Sequence, residues 1–222
     1  MTTLLFITGN QFSFLLNGLW VTIGVAAVTI ILSLIFGIIL GTLRYENIPV
    51  VSDLLALLID TVRNLPLLLI IFFTYFALPQ IGIRLSIFWS TVTAMTIFES
   101  AMISEIIRAG LKGLPSGQKE AGYASGLNTW QVLSLILLPQ AIRNMISAIV
   151  SQLIALIKDT SLATIIALPE IMHNAKIIYN QDVDVILQVF FISAVLYFIL
   201  CYSLSLVARR YQLLSVKTES LS

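Results

Sequence analysis

Among the side chains able to carry charge or a strong hydrogen bond inside apolar runs or at their ends are Glu99, Glu105, Arg143, Gln152, Lys158 and Asp159. Ionisable groups in such surroundings are costly and mark function by default. On a helix, Gln152, Leu156 and Asp159 fall at i, i+4 and i+7 and share one face, which continues through Met145 and Ala148. An amide and a carboxylate on one face, with Lys158 beside them, can line a cavity. The alternative is a Lys-Asp pair that simply ends the helix at an interface. Glu105 has Arg108 three residues on, the spacing of a local ion pair. Glu99 has no such neighbour, so it either faces a lumen or pairs with a basic residue on another helix.

Catalytic patterns are missing from the chain. There is no G-x-x-x-x-G-K-[ST], no G-x-S-x-G and no H-E-x-x-H. The single histidine, His173, serves no triad and no metal cluster, and reads as an ordinary packing or surface residue. The single cysteine, Cys201, sits in an apolar run and has no intrachain partner. The chain therefore reads as a non-enzyme without a cofactor or metal site of its own. Any uphill work must draw on a partner or an ion gradient.

The elements that position these groups follow from composition. Hydrophobic residues make up 59% of the chain and charged residues 10%, with a mean hydropathy of +1.01. Soluble domains carry about 25% charged residues. The chain is therefore an all-α integral membrane protein in contact with the lipid bilayer. A formal net charge of +1 argues against nucleic acid as a partner.

About 20 apolar residues are needed to cross the hydrocarbon core. Five stretches satisfy this, at about 19–43, 53–78, 86–108, 139–157 and 185–208, giving one transmembrane domain over 19–208. Residues 1–18 form an external N-terminal segment and residues 209–222 a tail. The first 43 residues hold no Lys or Arg, so the first span is a retained helix rather than a cleaved leader. Gly37 and Gly41 in that span are spaced for close helix packing. The second span carries Asp60 and Arg63 one turn apart, and Pro66 predicts a kink or break. In the five-span arrangement Arg44, Arg108, Lys112, Lys119, Arg209, Arg210 and Lys217 fall on one side, and Arg84 and Lys176 on the other. The positive-inside rule makes the first side cytoplasmic, so the N-terminus is outside and the C-terminus inside. After the fourth span, residues 160–184 read as a short re-entrant or surface helix followed by an external polar loop.

The longest central stretch that is not solidly apolar is 116–139, SGQKEAGYASGLNTWQVLSLILLP. Pro115-Ser116 reads as a helix start with Ser116 as N-cap, and Glu120 suits the early turns. Ala121, Gly122, Ala124 and Ser125 allow close approach of another surface, and Gly126 reads as a helix stop. A second short segment, 130–138, ends at Pro139. The expected form is two short helices joined near Gly126, on the cytoplasmic side.

The spacing Glu120-Ala121-Gly122, then Gly126, then Ile136-Leu137-Leu138-Pro139 resembles the EAA loop of binding-protein-dependent ABC importer permeases, with Gly122 the one departure. Residues 63–67 (Arg-Asn-Leu-Pro-Leu), 104–110 (Ser-Glu-Ile-Ile-Arg-Ala-Gly) and 158–162 (Lys-Asp-Thr-Ser-Leu) are similar to the polar amino-acid branch of that family. The similarity runs from about residue 15 to about residue 210.

The resemblance implies the type I importer transmembrane fold and a bacterial inner-membrane location. It implies a second permease subunit, identical or a sibling, two cytoplasmic ATPases that carry ATP and Mg, and an extracytoplasmic amino-acid-binding protein. Glu120, Ala121, Gly122, Gly126, Ile136, Leu138 and Pro139 would couple to the ATPase. Glu99, Gln152, Lys158, Asp159, Thr160 and Ser161 would line the substrate path. There, Lys158 would receive the α-carboxylate of a free amino acid, Asp159 its ammonium group, and Gln152 would read the side chain. Glutamine, glutamate, arginine, histidine and cystine all stay open as cargo. The rival function is an ion-coupled secondary transporter using Glu99 or Asp159. A membrane enzyme or assembly factor is disfavoured by the single histidine.

Overall fold

The computed structural model describes residues 7–219, with side chains through residue 210. Residues 1–6 of the N-terminal segment, residues 220–222 of the tail and the Lys217 side chain lie outside the described residues. Every regular element among the described residues is helical. In chain order these are α1 (Gly9–Tyr45), α2 (Val51–Asn64), α3 (Leu67–Phe72), α4 (Ile87–Lys112), α5 (Ser116–Ala124), α6 (Thr129–Gln131), α7 (Leu138–Asp159), α8 (Ile171–Gln181) and α9 (Ile186–Glu219).

Four described helical stretches are long and apolar enough to cross a membrane: Gly9–Tyr45, Ile87–Lys112, Thr129–Ile166 and Val183–Arg210. The pair Val51–Asn64 and Leu67–Ile81 makes a fifth when counted as one broken span. The break falls at Leu65-Pro66. Pro66 adopts extended ψ 129 and opens α3, because its ring excludes the preceding turn and it has no N–H to donate.

Helix α1 begins ten residues earlier than the apolar run alone suggests. The Thr8 and Gln11 side chains each accept from the other's backbone N–H, at 3.3 and 2.8 Å, a capping box that starts the helix at Gly9. The polar tract after the fourth span also differs from expectation. Asn174, Lys176, Asn180 and Gln181 are on α8, not in a loop. Ile171, Asn174, Ala175 and Ile178 fall at i, i+3, i+4 and i+7 and are all buried, which is the helical face that the surrounding polar residues disguise.

The described residues divide into two compact units. One comprises residues 7–31, 65–97 and 153–204. Its core joins Leu15 of α1, Ile171, Ala175 and Ile178 of α8, Val185, and Val189 and Leu196 of α9. The other comprises residues 32–64, 98–152 and 205–219. Here α1 lies backbone-close on α4. A Cβ at Gly37 would stand 2.6 Å from Ile103 Cγ2, and one at Gly41 would stand 2.5 Å from the Ser104 carbonyl oxygen. In lipid, where apolar side chains gain nothing by leaving solvent, such close backbone packing is the main source of helix association.

Candidate functional site

The segment 116–139 folds as a short helix, a glycine stop and a return into the span. Ser116 is the first residue inside α5, and the N-cap is Pro115, whose carbonyl accepts from the Gln118 N–H at 3.1 Å. This corrects the reading of Ser116 as N-cap: Pro115 has the extended ψ of an N-cap, 136°, while its carbonyl already receives the first helical bond. At the far end Gly126 has φ 82. The Leu127 N–H reaches the Gly122 carbonyl at 3.2 Å and the Gly126 N–H reaches Tyr123 at 2.9 Å, the paired bonds of a Schellman stop. Asn128 then caps the next helix reciprocally with Gln131.

That helix does not end at Pro139. It passes through a π turn, Val132–Leu137, directly into α7. The segment 130–138 is thus the first part of a long span rather than a separate helix. Pro139 has no N–H to complete an ordinary turn, and the widened turn sits immediately before it. The Gln140 side-chain amide donates to the Ile136 carbonyl at 2.8 Å. π turns of this kind concentrate at functional positions.

The small residues of α5 have two uses. Gly122 is buried within the chain, where a Cβ would stand 2.8 Å from Val132 and 3.0 Å from Ile136. Glu120, Ala121, Ala124, Ser125 and Gly126 are exposed, as is Pro139, while Ile136 and Leu138 are half-buried. Residues 120–126 therefore form a ledge seated on the π turn and open on its other side. Beneath it Lys119 bonds Glu46 at 3.6 Å and lies 5.2 Å over the Tyr45 ring, tying α5 to the end of α1.

In the same unit, Glu105 gathers arginines that sequence spacing could not assemble. Arg108 Nε donates to it at 2.9 Å as the local spacing predicts, and Arg44 of α1 donates at 2.8 Å. Arg44 and Arg63 also hold Asp60, at 3.3 and 3.6 Å. The Asp60–Arg63 pair was legible in the sequence. The link through Arg44 was not, because it joins residues 61 positions apart.

Of the residues expected to line a substrate path, the structure brings Glu99 and Gln152 together. The Gln152 amide donates to Glu99 Oε2 at 2.9 Å, and Glu99 is fully buried. In the other unit, α7 ends at Asp159 and a 3-10 turn, Thr160–Ile166, follows. Lys158 is exposed, Asp159 half-buried and Thr160 buried. Among the described residues no ion pair joins Lys158 to Asp159. The Thr160 hydroxyl donates to the Ile157 carbonyl at 2.8 Å and the Ser161 hydroxyl to Lys158 at 2.7 Å. Lys158 and Asp159 stand side by side at the helix end.

Sequence reasoning missed Glu170 and Tyr197. Glu170 is fully buried and accepts from the Thr164 hydroxyl (2.7 Å), the Met172 and His173 N–H groups (2.8 and 2.6 Å) and the Tyr197 hydroxyl (2.6 Å). Glutamate is an uncommon N-cap, so the sequence signal was only a lone acid before the buried stripe of α8.

Residues 33–213 match the family model described as the binding-protein-dependent transport system inner membrane component. The chain is 57% identical over 203 residues to the probable glutamine ABC transporter permease protein GlnP of Bacillus subtilis (strain 168), covering 90% of this chain and 93% of that one. It is 33% identical to the arginine transport system permease protein ArtQ of the same organism, covering 90% and 91%. Among solved structures, an amino acid ABC transporter crystallised with histidines aligns with TM-score 0.81 at 24% identity, over 91% of this chain and 94% of that one. An inward-facing MetNI methionine ABC transporter aligns with TM-score 0.74 at 18% identity, over 92% and 99%. The fold is thus that of the type I importer transmembrane subunits. With its helices of spanning length, and a family match over most of its length, the chain belongs to the binding-protein-dependent transport system inner membrane components and is a permease subunit of an ABC importer.

Proposed function

We propose that this chain carries a polar amino acid, glutamine first, across a bacterial inner membrane, with its N-terminus outside and its C-terminus in the cytoplasm. It does so as one of two permease subunits, identical or sibling, served by two cytoplasmic ATPases and an extracytoplasmic binding protein. ATP and Mg are held by the ATPases, and this chain contributes no ATP site. The single observation that carries the reading is the ledge of residues 120–126. It is closed by a left-handed glycine, seated by Gly122 on a π turn, and continuous with α7.

Closure of the ATPase pair on ATP would push this ledge. The π turn would pass the displacement into α7, which carries Gln152, Lys158 and Asp159 in consecutive turns. Differential ATP affinity between two states supplies the bias. Glutamine suits the polar groups available. Its ammonium meets Asp159 and its carboxylate meets Lys158. The 57% identity to a probable glutamine permease favours the same cargo.

The ledge is tested by Gly126→Val and Glu120→Lys in nanodiscs. Valine at φ 82 is strained by about 1–3 kcal/mol, enough to displace the helix. Both variants should insert normally yet lose the co-purifying ATPase, or its stimulation by loaded binding protein. Full ATPase retention and full stimulation in both would show that residues 116–139 are not the coupling element.

A further inference from the structure

Glu170 stands at a junction. It caps α8 through the Met172 and His173 N–H groups, fixes the 3-10 turn through Thr164, and receives the Tyr197 hydroxyl from α9. Helix α1 closes the junction from another side. A Cβ at Gly18 would stand 2.8–2.9 Å from the Glu170 carbonyl group and the Ile171 nitrogen, and the Ile171 N–H donates to Thr22 at 3.4 Å. One buried carboxylate thus reaches, through the Thr164 hydroxyl, the 3-10 turn that begins directly after Asp159.

The intervening backbone is not relaxed. Ala167 is held at φ 60, a left-handed conformation that a residue with a Cβ keeps only where its surroundings over-determine it. Residues 160–170 are therefore held at both ends, by the end of α7 and by Glu170. A buried carboxylate with four donors is a rigid anchor, since all its bonds must be surrendered together for it to move.

We propose that Glu170 and Tyr197 are positioning residues for the substrate group at residues 158–161. Neither touches the cargo. They fix where the α7 end places Lys158 and Asp159: Tyr197 holds the Glu170 carboxylate, and Glu170 holds the strained turn through Thr164. This inference rests on the reading of residues 158–161 as a substrate group.

Two variants separate positioning from simple helix capping. Tyr197→Phe removes the phenolic link and leaves all the α8 caps in place. Glu170→Asp keeps a carboxylate of better N-cap type but withdraws it by one methylene from Tyr197. The readout is equilibrium binding of radiolabelled L-glutamine to the purified permease–ATPase complex, with thermal unfolding of the same samples. Both single variants should bind about tenfold more weakly, as expected when a binding group shifts by a fraction of an ångström. Their unfolding temperatures should stay close to wild type. The double variant should bind no more weakly than either single one, because both break the same link.

Asp159→Asn is run beside them. Weak binding by Asp159→Asn with wild-type binding by both Tyr197→Phe and Glu170→Asp overturns the positioning role alone. Wild-type binding by Asp159→Asn overturns the substrate reading of residues 158–161, and this inference with it.

Discussion

At the scale of single residues, the chain places its charges in two kinds of setting. Glu105 and Asp60 are surrounded by Arg44, Arg63 and Arg108, and their charges are consumed in holding α1, α2 and α4. Lys158 and Asp159 are not paired with one another, and Glu99 meets an amide, Gln152, at 2.9 Å. Removing one partner of a desolvated charged contact costs on the order of 2–5 kcal/mol. Asp159→Asn and Lys158→Ala should therefore lower glutamine uptake by roughly tenfold or more at equal membrane levels. Glu99→Gln should lower it too, since it keeps an acceptor for the Gln152 amide but removes the buried carboxylate. Wild-type uptake in all three would return these residues to a structural role.

At the scale of elements, small residues decide where helices meet. Gly41 is pressed on the Ser104 carbonyl and on Ile107, so Gly41→Ala has no flexible neighbour to displace. Overpacking of this kind costs about 1–3 kcal/mol. Gly41→Ala should lower the unfolding temperature in detergent by several degrees, whereas Gly117→Ala, which meets nothing within 4 Å, should not. Equal melting of the two would show that the α1–α4 approach is dispensable.

The same scale shows what a sequence can carry. The long apolar helices, the Pro66 break, the Gly37–Gly41 face and the left-handed Gly126 were all legible, because each depends on local chemistry. Four features were not. The early start of α1 was hidden because the Thr8–Gln11 box lies outside the apolar run. Helix α8 was disguised by Asn174, Lys176 and Asn180 on and around its buried stripe. The passage through Pro139 required a π turn, which no periodicity announces. The Glu170–Tyr197 bond joins residues 27 apart and has no spacing rule. Gln152 and Glu99, two of the six residues expected to line a substrate path, were visible only as separate polar residues until the fold joined them across 53 positions.

At the scale of the whole molecule, the arrangement in the membrane and the source of energy are the remaining claims. Gly117 and Asn180 are both exposed. A cysteine at Gly117 should be labelled by an impermeant reagent only from the cytoplasmic side, and one at Asn180 only from outside. Labelling of both from one side would defeat the five-span arrangement.

The importer account is tested most directly by uptake of radiolabelled L-glutamine into proteoliposomes. The chain is reconstituted alone under an imposed proton or sodium gradient, and in parallel with its permease partner, its ATPase and its binding protein. The account predicts uptake only in the complete assembly, with ATP on the ATPase side and glutamine-loaded binding protein on the other. Concentrative uptake by the chain alone, driven by either gradient without ATP, would contradict it.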